Sequence, residues 1–452
     1  MKVIKLHVAI LNLKASLIHQ FVLILVVYSS LFSKIQAQND SLSYPYQNIY
    51  PLDLKMVIKG KEKSKNNSGL PTEDKLMWFA VPIVGSNPTL GFFYGLGGTG
   101  SIYLGNPKTT NISSANVSVQ YTTNNQFISS IKGTIMTPNN SWELLVDLKY
   151  SIFSENTYGL GSDYNQPIQE DWIIGGAETT GFSGAQPIES NQVRVHLTAL
   201  KAITSRIFIG GGYHLDYHYK IEDLSLDLNA AQPVITSHYA YSQFYGFDPT
   251  TYLSSGLSAD FMIDDRDHTV NAYIGNFVHL SYRLNPKFLG SETNYQMVYA
   301  EGRFYKTLSK TNPRHLLALW GIGQFTFSGD APYLHLPSSG NDMRNRIARG
   351  YVGGRFRGNS WITAEAEYRY PISKNGLFSG VFFGSATTTS RNAITIGTEY
   401  IEKLRLFEAI RPSGGAGLRM LLERAGRLNL GIDFAVGQNG SKGFYFVIGE
   451  TF

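Results

Sequence analysis

From residue 76 to its end, the sequence is a succession of strand-like segments separated by turn residues, and no segment keeps a 3.6-residue apolar repeat. This pattern predicts an all-β protein with sixteen antiparallel strands. The predicted strands lie near 77–84, 89–104, 113–124, 126–137, 141–153, 189–200, 204–220, 252–264, 270–285, 291–307, 313–329, 361–371, 377–386, 413–424, 426–438 and 442–452.

The connections between these strands alternate in length. Short turns fall at every second junction, for example at 137–140 and 201–204. Long loops are predicted near 154–188, 221–251, 330–360 and 387–412. This alternation is typical of a transmembrane β-barrel of the outer membrane, with its short turns in the periplasm. A soluble propeller would instead repeat every ~40 to 45 residues, and the sequence has no such repeat.

Side chains along the strands predict lipid on the outer face and a polar interior. Between Arg427 and Gly437 alternate residues are apolar, and Asp433 lies on the opposite face. Glu301 and Arg303 likewise share one face of their strand. A charge that faces hydrocarbon costs ~2 to 4 kcal/mol at the bilayer midplane, so we expect these charged residues to face the lumen.

The composition agrees with this class and excludes others. Only 16% of the residues are charged, against ~25% in an average soluble domain. The chain has no cysteine and therefore no disulfide framework. A net charge of +5 on 452 residues is too small to argue for nucleic-acid binding.

The first 75 residues are expected to lie outside the barrel, which we place at 76–452. Residues 1–37 resemble a signal peptide, with lysines, an apolar run at 21–32 and Ala37 before the cleavage point. The run is shorter than the ~20 residues of a membrane-spanning helix, although an uncleaved anchor remains the alternative. Residues 38–75 form a short polar periplasmic arm in which a small strand could occupy 55–59.

One stretch, Arg346–Pro371, combines a Gly-rich loop with a strand of strict alternation. The stretch resembles the BamA/TamA superfamily of outer-membrane assembly barrels, also called bacterial surface antigens. The resemblance is carried by Ala348-Arg349-Gly350-Tyr351 in the loop, Glu367 before Tyr368, Arg369, Tyr370 and Pro371, the turn at 263–267, and the three closing strands. It covers residues 250–452 by motif and 76–250 by strand pattern.

The resemblance implies that the long loop folds into the barrel lumen. There Arg349 would need a carboxylate, with Glu367 the first candidate and Asp433 the second. Gly350 would let the backbone turn sharply, and Tyr351 would wedge against the wall. The alternative is that Arg349 is a solvated loop residue in a Gly-rich tip. Strand alternation predicts that Glu365, Glu367 and Arg369 face the lumen.

The C-terminus resembles the recognition signal of outer-membrane barrels. Alternation predicts that Phe444, Phe446, Ile448 and Phe452 lie on one face there.

The resemblance also implies a part in inserting or translocating protein, or lipid, at the outer membrane of a Gram-negative-type bacterium. A weakly paired seam between the first and last strands would receive the client. Family members that assemble proteins carry periplasmic POTRA domains, and the arm is too short for one, so we expect a member without them. A passive or selective channel and a scaffold subunit of a larger complex are the alternatives.

No thiol and no evident Ser-His-Asp grouping points to catalysis, so we predict that the chain is not an enzyme. His214, Asp216 and His218 could bridge a metal, but tyrosines on the opposite face favour an ordinary lumen-facing row. No metal and no cofactor are therefore predicted. The expected surroundings are outer-membrane lipid and lipopolysaccharide. Other outer-membrane or periplasmic assembly proteins and a second copy of the chain are candidate partners.

Overall fold

The computed structural model describes residues 52–58, 76–87, 91–123, 125–163, 173–174, 177–178, 180–181, 184–340, 347–391, 395–396, 399–400, 404–424 and 426–452. Within them, sixteen strands form one antiparallel sheet in chain order. They are β1 (Met77–Asn87), β2 (Gly91–Ile102), β3 (Ser113–Thr122), β4 (Phe127–Met136), β5 (Trp142–Thr157), β6 (Gln186–Ala202), β7 (Ile207–Asp223), β8 (Thr251–Asp264), β9 (Gly275–Asn285), β10 (Tyr295–Thr307), β11 (Leu316–Ser328), β12 (Ser360–Pro371), β13 (Phe378–Ser390), β14 (Arg411–Glu423), β15 (Leu428–Gly437) and β16 (Lys442–Ile448).

The alternation of side chains gives this barrel its polar interior. Along β12, Glu365, Glu367 and Arg369 are buried, whereas the residues between them, including Tyr368, are exposed. Large apolar side chains cover the outer face, among them Trp78, Tyr94, Tyr121, Phe382, Phe434 and Phe444. The predicted all-β fold of antiparallel strands is therefore confirmed.

The first and last strands meet without pairing. Cα atoms of β1 and β16 approach within 8 Å, yet no hydrogen-bonded register joins the two strands in the described part of the chain. A Cβ placed on Gly97 of β2 would lie 2.6 Å from Cδ1 of Ile83 in β1 and 3.5 Å from Cδ1 of Ile448 in β16. Apolar packing therefore occupies this junction, which we call the seam.

The two ends of the barrel differ. One end carries the short turns, and the other carries the long connections, so we name them the short-turn end and the long-loop end. A short helix, α1 (Leu54–Ile58), lies at the short-turn end. Asp53 fixes its start, because its carboxylate accepts hydrogen bonds from the backbone N–H of Met56 at 2.8 Å and of Arg424 at 3.0 Å.

The small strand that could have occupied 55–59 is not present at 55–58, which are helical, since Asp53 favours a helix start at this position. Residues 1–51 and 59–75, which hold the predicted signal peptide and most of the arm, lie outside the described residues. Among the described residues, no helix is long and apolar enough to cross a bilayer.

The connection from β7 to β8 contains helix α2 (Ser237–Tyr245) at the long-loop end. Thr236 caps its start, accepting a hydrogen bond from the backbone N–H of Tyr239. Gly246 ends the helix with φ of 72°, the left-handed conformation that glycine adopts without strain. Tyr241 of this helix packs with Tyr252 and Tyr333 in a buried aromatic cluster.

The connection from β11 to β12 enters the barrel. We call its described residues, 329–340 and 347–359, the lumen loop. Tyr351 and Phe356 of this loop are buried in one cluster with Trp320 of β11 and Trp361 of β12. The core of the protein is thus partly a loop packed against the inner wall.

Candidate functional site

The tip of the lumen loop has a backbone shape that presses it against the wall. Ala348 and Gly350 both have positive φ, 62° and 102°. A Cβ on Gly350 would lie 2.8 Å from the carbonyl oxygen of Val436 in β15. Glycine is therefore required here both for its conformation and for the close approach.

This backbone conformation places the side chain of Arg349 among three carboxylates. Its guanidinium bonds to Glu365, to Glu367 at 2.5 Å and to Asp433 at 2.6 Å, and its side chain is 0% exposed. The Cζ atom also lies 3.6 Å from the ring centre of Phe383. The structure thus brings together the loop arginine and both of its predicted partners, with Glu365 as a third.

Two further arginines extend the contacts. Arg369 bonds to Glu367 at 2.6 Å, and Arg419 of β14 bonds to Asp433 at 2.5 Å and to Glu450 at 2.9 Å. We call these groups the latch cluster. It contains three guanidinium groups and four carboxylates: Arg349, Arg369, Arg419, Glu365, Glu367, Asp433 and Glu450.

Electrostatics favours the ionised forms of Arg349 and Glu450 in the latch cluster. Burial alone would lower the pKa of Arg349, but the carboxylates of Glu365, Glu367 and Asp433 raise it above its ordinary value. Burial would raise the pKa of Glu450, whereas Arg419 and Arg369 hold it below its usual range. The charges of Arg349 and Glu450 are therefore compensated by groups of opposite charge, which a water-poor interior requires.

Hydrogen bonds around Tyr351 fasten the loop tip to the last strands. The Tyr351 hydroxyl donates to the carbonyl oxygen of Pro412 at 2.6 Å, and it accepts from the backbone N–H of Gln438 at 3.1 Å. The Tyr445 hydroxyl accepts from the backbone N–H of Gly350 at 2.8 Å. The tip is thus attached to β14, to the residue that follows β15 and to β16.

The lumen loop also reaches the opposite wall. Arg357 bonds to Glu155 of β5 at 2.6 Å. His335 contacts the imidazole of His218 in β7 at 2.9 Å and the hydroxyl of Ser254 in β8 at 2.6 Å. The loop therefore crosses the lumen and joins two sides of the barrel.

A family model for the Omp85 superfamily domain matches residues 93–452. The chain belongs to the Omp85 superfamily. Membership implies an outer-membrane location and confirms the resemblance predicted from the closing half of the sequence. Among proteins of curated function, none has a sequence that matches this chain significantly.

Two solved structures are similar to this chain. BamA from Haemophilus ducreyi lacking POTRA domains 1-3 is 14% identical with a TM-score of 0.48, and the match covers 83% of this chain and 70% of that one. CdiB from Acinetobacter baumannii is 13% identical with a TM-score of 0.45, covering 82% of this chain and 59% of that one.

Other predicted residues of this Omp85 barrel lie apart from the latch cluster. Glu301 and Arg303 of β10 face the lumen and pair with each other at 2.7 Å. The indole N–H of Trp320 donates to Glu301 at 2.8 Å. These two charges are a local pair that supports the wall, and neither bonds to Arg349.

The residues of β7 that could have bridged a metal, His214, Asp216 and His218, contact other protein side chains. His214 lies 2.8 Å from the hydroxyl of Ser258, and Asp216 bonds to Arg194 at 2.8 Å. No group of three or more histidine, aspartate or glutamate side chains in the described ranges has a geometry that could hold a metal ion.

The prediction that Phe452 shares one face with Phe444 and Phe446 is wrong. Phe444 and Phe446 are exposed on the outer face. Gly449, however, has a φ of 86° and ends the strand pairing, so the chain turns inward. The Phe452 ring stacks on Trp320 at 5.1 Å, and its carbonyl oxygen accepts from Arg369 at 3.1 Å.

Ile448, the remaining residue of the proposed C-terminal signal, packs at the seam over Gly97. The inward turn after Gly449 also places Thr451, whose hydroxyl accepts from Arg349 at 3.1 Å.

Sequence reasoning missed Arg419, Glu450 and Thr451 as parts of this site. Arg419 had a usable signal, because it alternates with the exposed Leu418 and must face the lumen. Glu450 and Thr451 had none, since their positions depend on the turn at Gly449.

Proposed function

We propose that this Omp85 barrel assists the insertion or translocation of protein at the outer membrane, and that the seam receives the client. The observation that carries the proposal is the junction of β1 and β16, whose Cα atoms lie within 8 Å while no register joins the strands in the described residues. Strand edges that lack a partner present backbone groups on which another strand can pair. With seven residues, β16 is also the shortest strand of the described sheet.

The latch cluster gives the two sides of the seam different rigidity. Its charges connect β12, β14, β15 and the C-terminal residues, and Tyr445 of β16 bonds to the loop tip. On the other side, β2 carries Gly95, Gly97, Gly98 and Gly100, which weaken a strand. We therefore expect opening to occur by movement of β1 and β2, while β16 stays fixed.

The surroundings follow from the surface. The exposed aromatic and aliphatic side chains of the outer face, such as Phe382 and Phe434, would contact outer-membrane lipid. Outer-membrane or periplasmic assembly proteins would deliver clients at the short-turn end, and lipopolysaccharide or a second copy of the chain would adjoin the barrel laterally.

Reconstitution into liposomes tests the function. The purified chain is expected to accelerate the insertion of an unfolded client barrel, measured by the heat-modifiable gel mobility of the client. Empty liposomes and liposomes with a porin of similar size are the controls. Ion conductance without faster insertion would contradict the proposal and favour a channel, whereas stoichiometric copurified subunits with neither activity would favour a scaffold.

A further inference from the structure

A cavity of about 190 Å³ lies between the lumen loop and the inner wall formed by β5, β6 and β7. Its described lining contains three cationic side chains, Lys149, Arg357 and Lys442, and one carboxylate, Glu155. Because Glu155 is already bonded to Arg357 at 2.6 Å, two positive charges in this cavity have no acidic counterpart. The cavity is therefore electropositive in a part of the lumen that is only partly open to water.

Two buried donors in the lining have no hydrogen-bond partner among the described residues. Arg357 is 1% exposed, and its terminal nitrogens bond to Glu155 and to the carbonyl oxygen of Tyr333, but its Nε atom bonds to nothing. The Ser151 hydroxyl is 0% exposed and also unpartnered. Leaving a buried polar group without a hydrogen bond destabilises a protein, so native proteins supply such a group with a partner.

The register of the strands places these donors beside two more. Lys149 and Ser151 are two residues apart on β5 and face the same side. Gln192 of β6 stands directly opposite Ser151, and His218 of β7 stands opposite Gln192. In the described part of the chain, no carboxylate lies within ion-pair distance of Lys149. An ammonium, a guanidinium nitrogen, a hydroxyl and an amide thus surround one space.

A neighbouring cavity of about 250 Å³ provides a contrast. Three of its arginines are matched by carboxylates: Arg194 and Arg283 bond to Asp216, and Arg303 bonds to Glu301. Uncompensated positive charge therefore distinguishes the first cavity from this neighbouring one.

We propose that the cavity formed by Lys149, Ser151, Gln192 and Arg357 binds a phosphate group. A phosphate offers several acceptor oxygens and a negative charge, which match an ammonium and a fixed guanidinium together with neutral donors. The phosphate would belong either to free inorganic phosphate or to a lipid headgroup. The proposal is independent of the function proposed above.

Calorimetric titration of the full chain with inorganic phosphate, in a phosphate-free detergent, tests the inference. We expect saturable binding with one site per chain. Loss of one charged hydrogen bond is worth about 1.5–3 kcal/mol, so Lys149→Gln should weaken binding about 10- to 100-fold. Lys201→Gln is the matched control, because Lys201 is exposed at the other end of β6 and does not line the cavity.

A second variant and a measurement in lipid nanodiscs complete the test. Ser151→Ala should weaken binding without removing charge, and heat-modifiable mobility verifies that each variant is folded. In nanodiscs, phosphatidic acid that competes with inorganic phosphate, where phosphatidylcholine does not, would show that the site takes a lipid headgroup. If phosphatidic acid does not compete, the site takes free phosphate. No saturable binding in either arm, or equal affinity in folded Lys149→Gln and Lys201→Gln, overturns the proposal.

Discussion

Replacing Arg349 with glutamine tests whether the lumen loop is held by charge. The variant keeps a polar side chain of intermediate length but removes the guanidinium that bonds to Glu365, Glu367 and Asp433. The latch cluster then retains two guanidinium groups for four carboxylates. The tip would lose its charged attachment and keep only the hydrogen bonds around Tyr351.

The size of the expected stability loss follows from the burial of Arg349 and its partners. Arg349 is 0% exposed, and its three partners are no more than 5% exposed. Removing one partner of a buried ion pair destabilises a protein by about 3–5 kcal/mol, because the remaining charge is left uncompensated. We therefore expect Arg349→Gln to lower the free energy of unfolding by about that amount. Adding Glu365→Gln should restore part of the loss, since it removes one excess carboxylate.

Urea titration followed by heat-modifiable gel mobility measures this change. Arg355→Gln is the matched control, because Arg355 lies in the same loop and contacts the ring of Tyr158 at 4.3 Å rather than the latch cluster. A loss in Arg349→Gln no larger than in Arg355→Gln would refute the reasoning, and the arginine would then be a solvated loop residue.

Two further perturbations use the same assay. Gly350→Ala should lower the free energy of unfolding by about 1–3 kcal/mol, since the φ of Gly350 is 102° and a Cβ there would lie 2.8 Å from the carbonyl oxygen of Val436. Gly440→Ala should lower it by less, because no atom lies within 4 Å of a Cβ at that position. Burial holds the His335 pKa at about 3, below the ~6.5 of an unfolded chain. Below pH ~6.5 the unfolded state therefore binds more protons than the folded state, so the free energy of unfolding should fall by about 2 kcal/mol between neutral pH and pH 5. His335→Gln should lessen that fall. The same dependence of stability on pH in the variant and the parent chain would contradict this role of His335.

The barrel could be predicted from the sequence because each strand carries its environment in a two-residue period. Lipid outside and charge inside force Glu365, Glu367 and Arg369 onto one face, whatever the rest of the chain does. The same period identifies Asp433 as a lumen residue. What alternation cannot give is which lumen residues meet across the barrel, so Glu365 was expected inside but not as a partner of Arg349.

Positions that depart from the alternation of side chains could not be predicted from the sequence. The inward turn of Phe452 rests on the backbone conformation of Gly449 and on a ring surface supplied by Trp320, far away in the chain. Helix α1 is five residues long, too short for any periodicity to mark it. In both cases tertiary contacts, rather than local pattern, decide the conformation.

Locking the seam tests the central claim most directly. The chain has no cysteine, so Ile83→Cys/Ile448→Cys can be joined selectively by a short cleavable bismaleimide, and both side chains lie against Gly97. Thr363→Cys/Thr387→Cys, across the paired strands β12 and β13, is the control. We predict that the seam cross-link stops client insertion in liposomes, that cleavage restores it, and that the control cross-link has no effect. Undiminished insertion with the seam fully cross-linked would contradict the account.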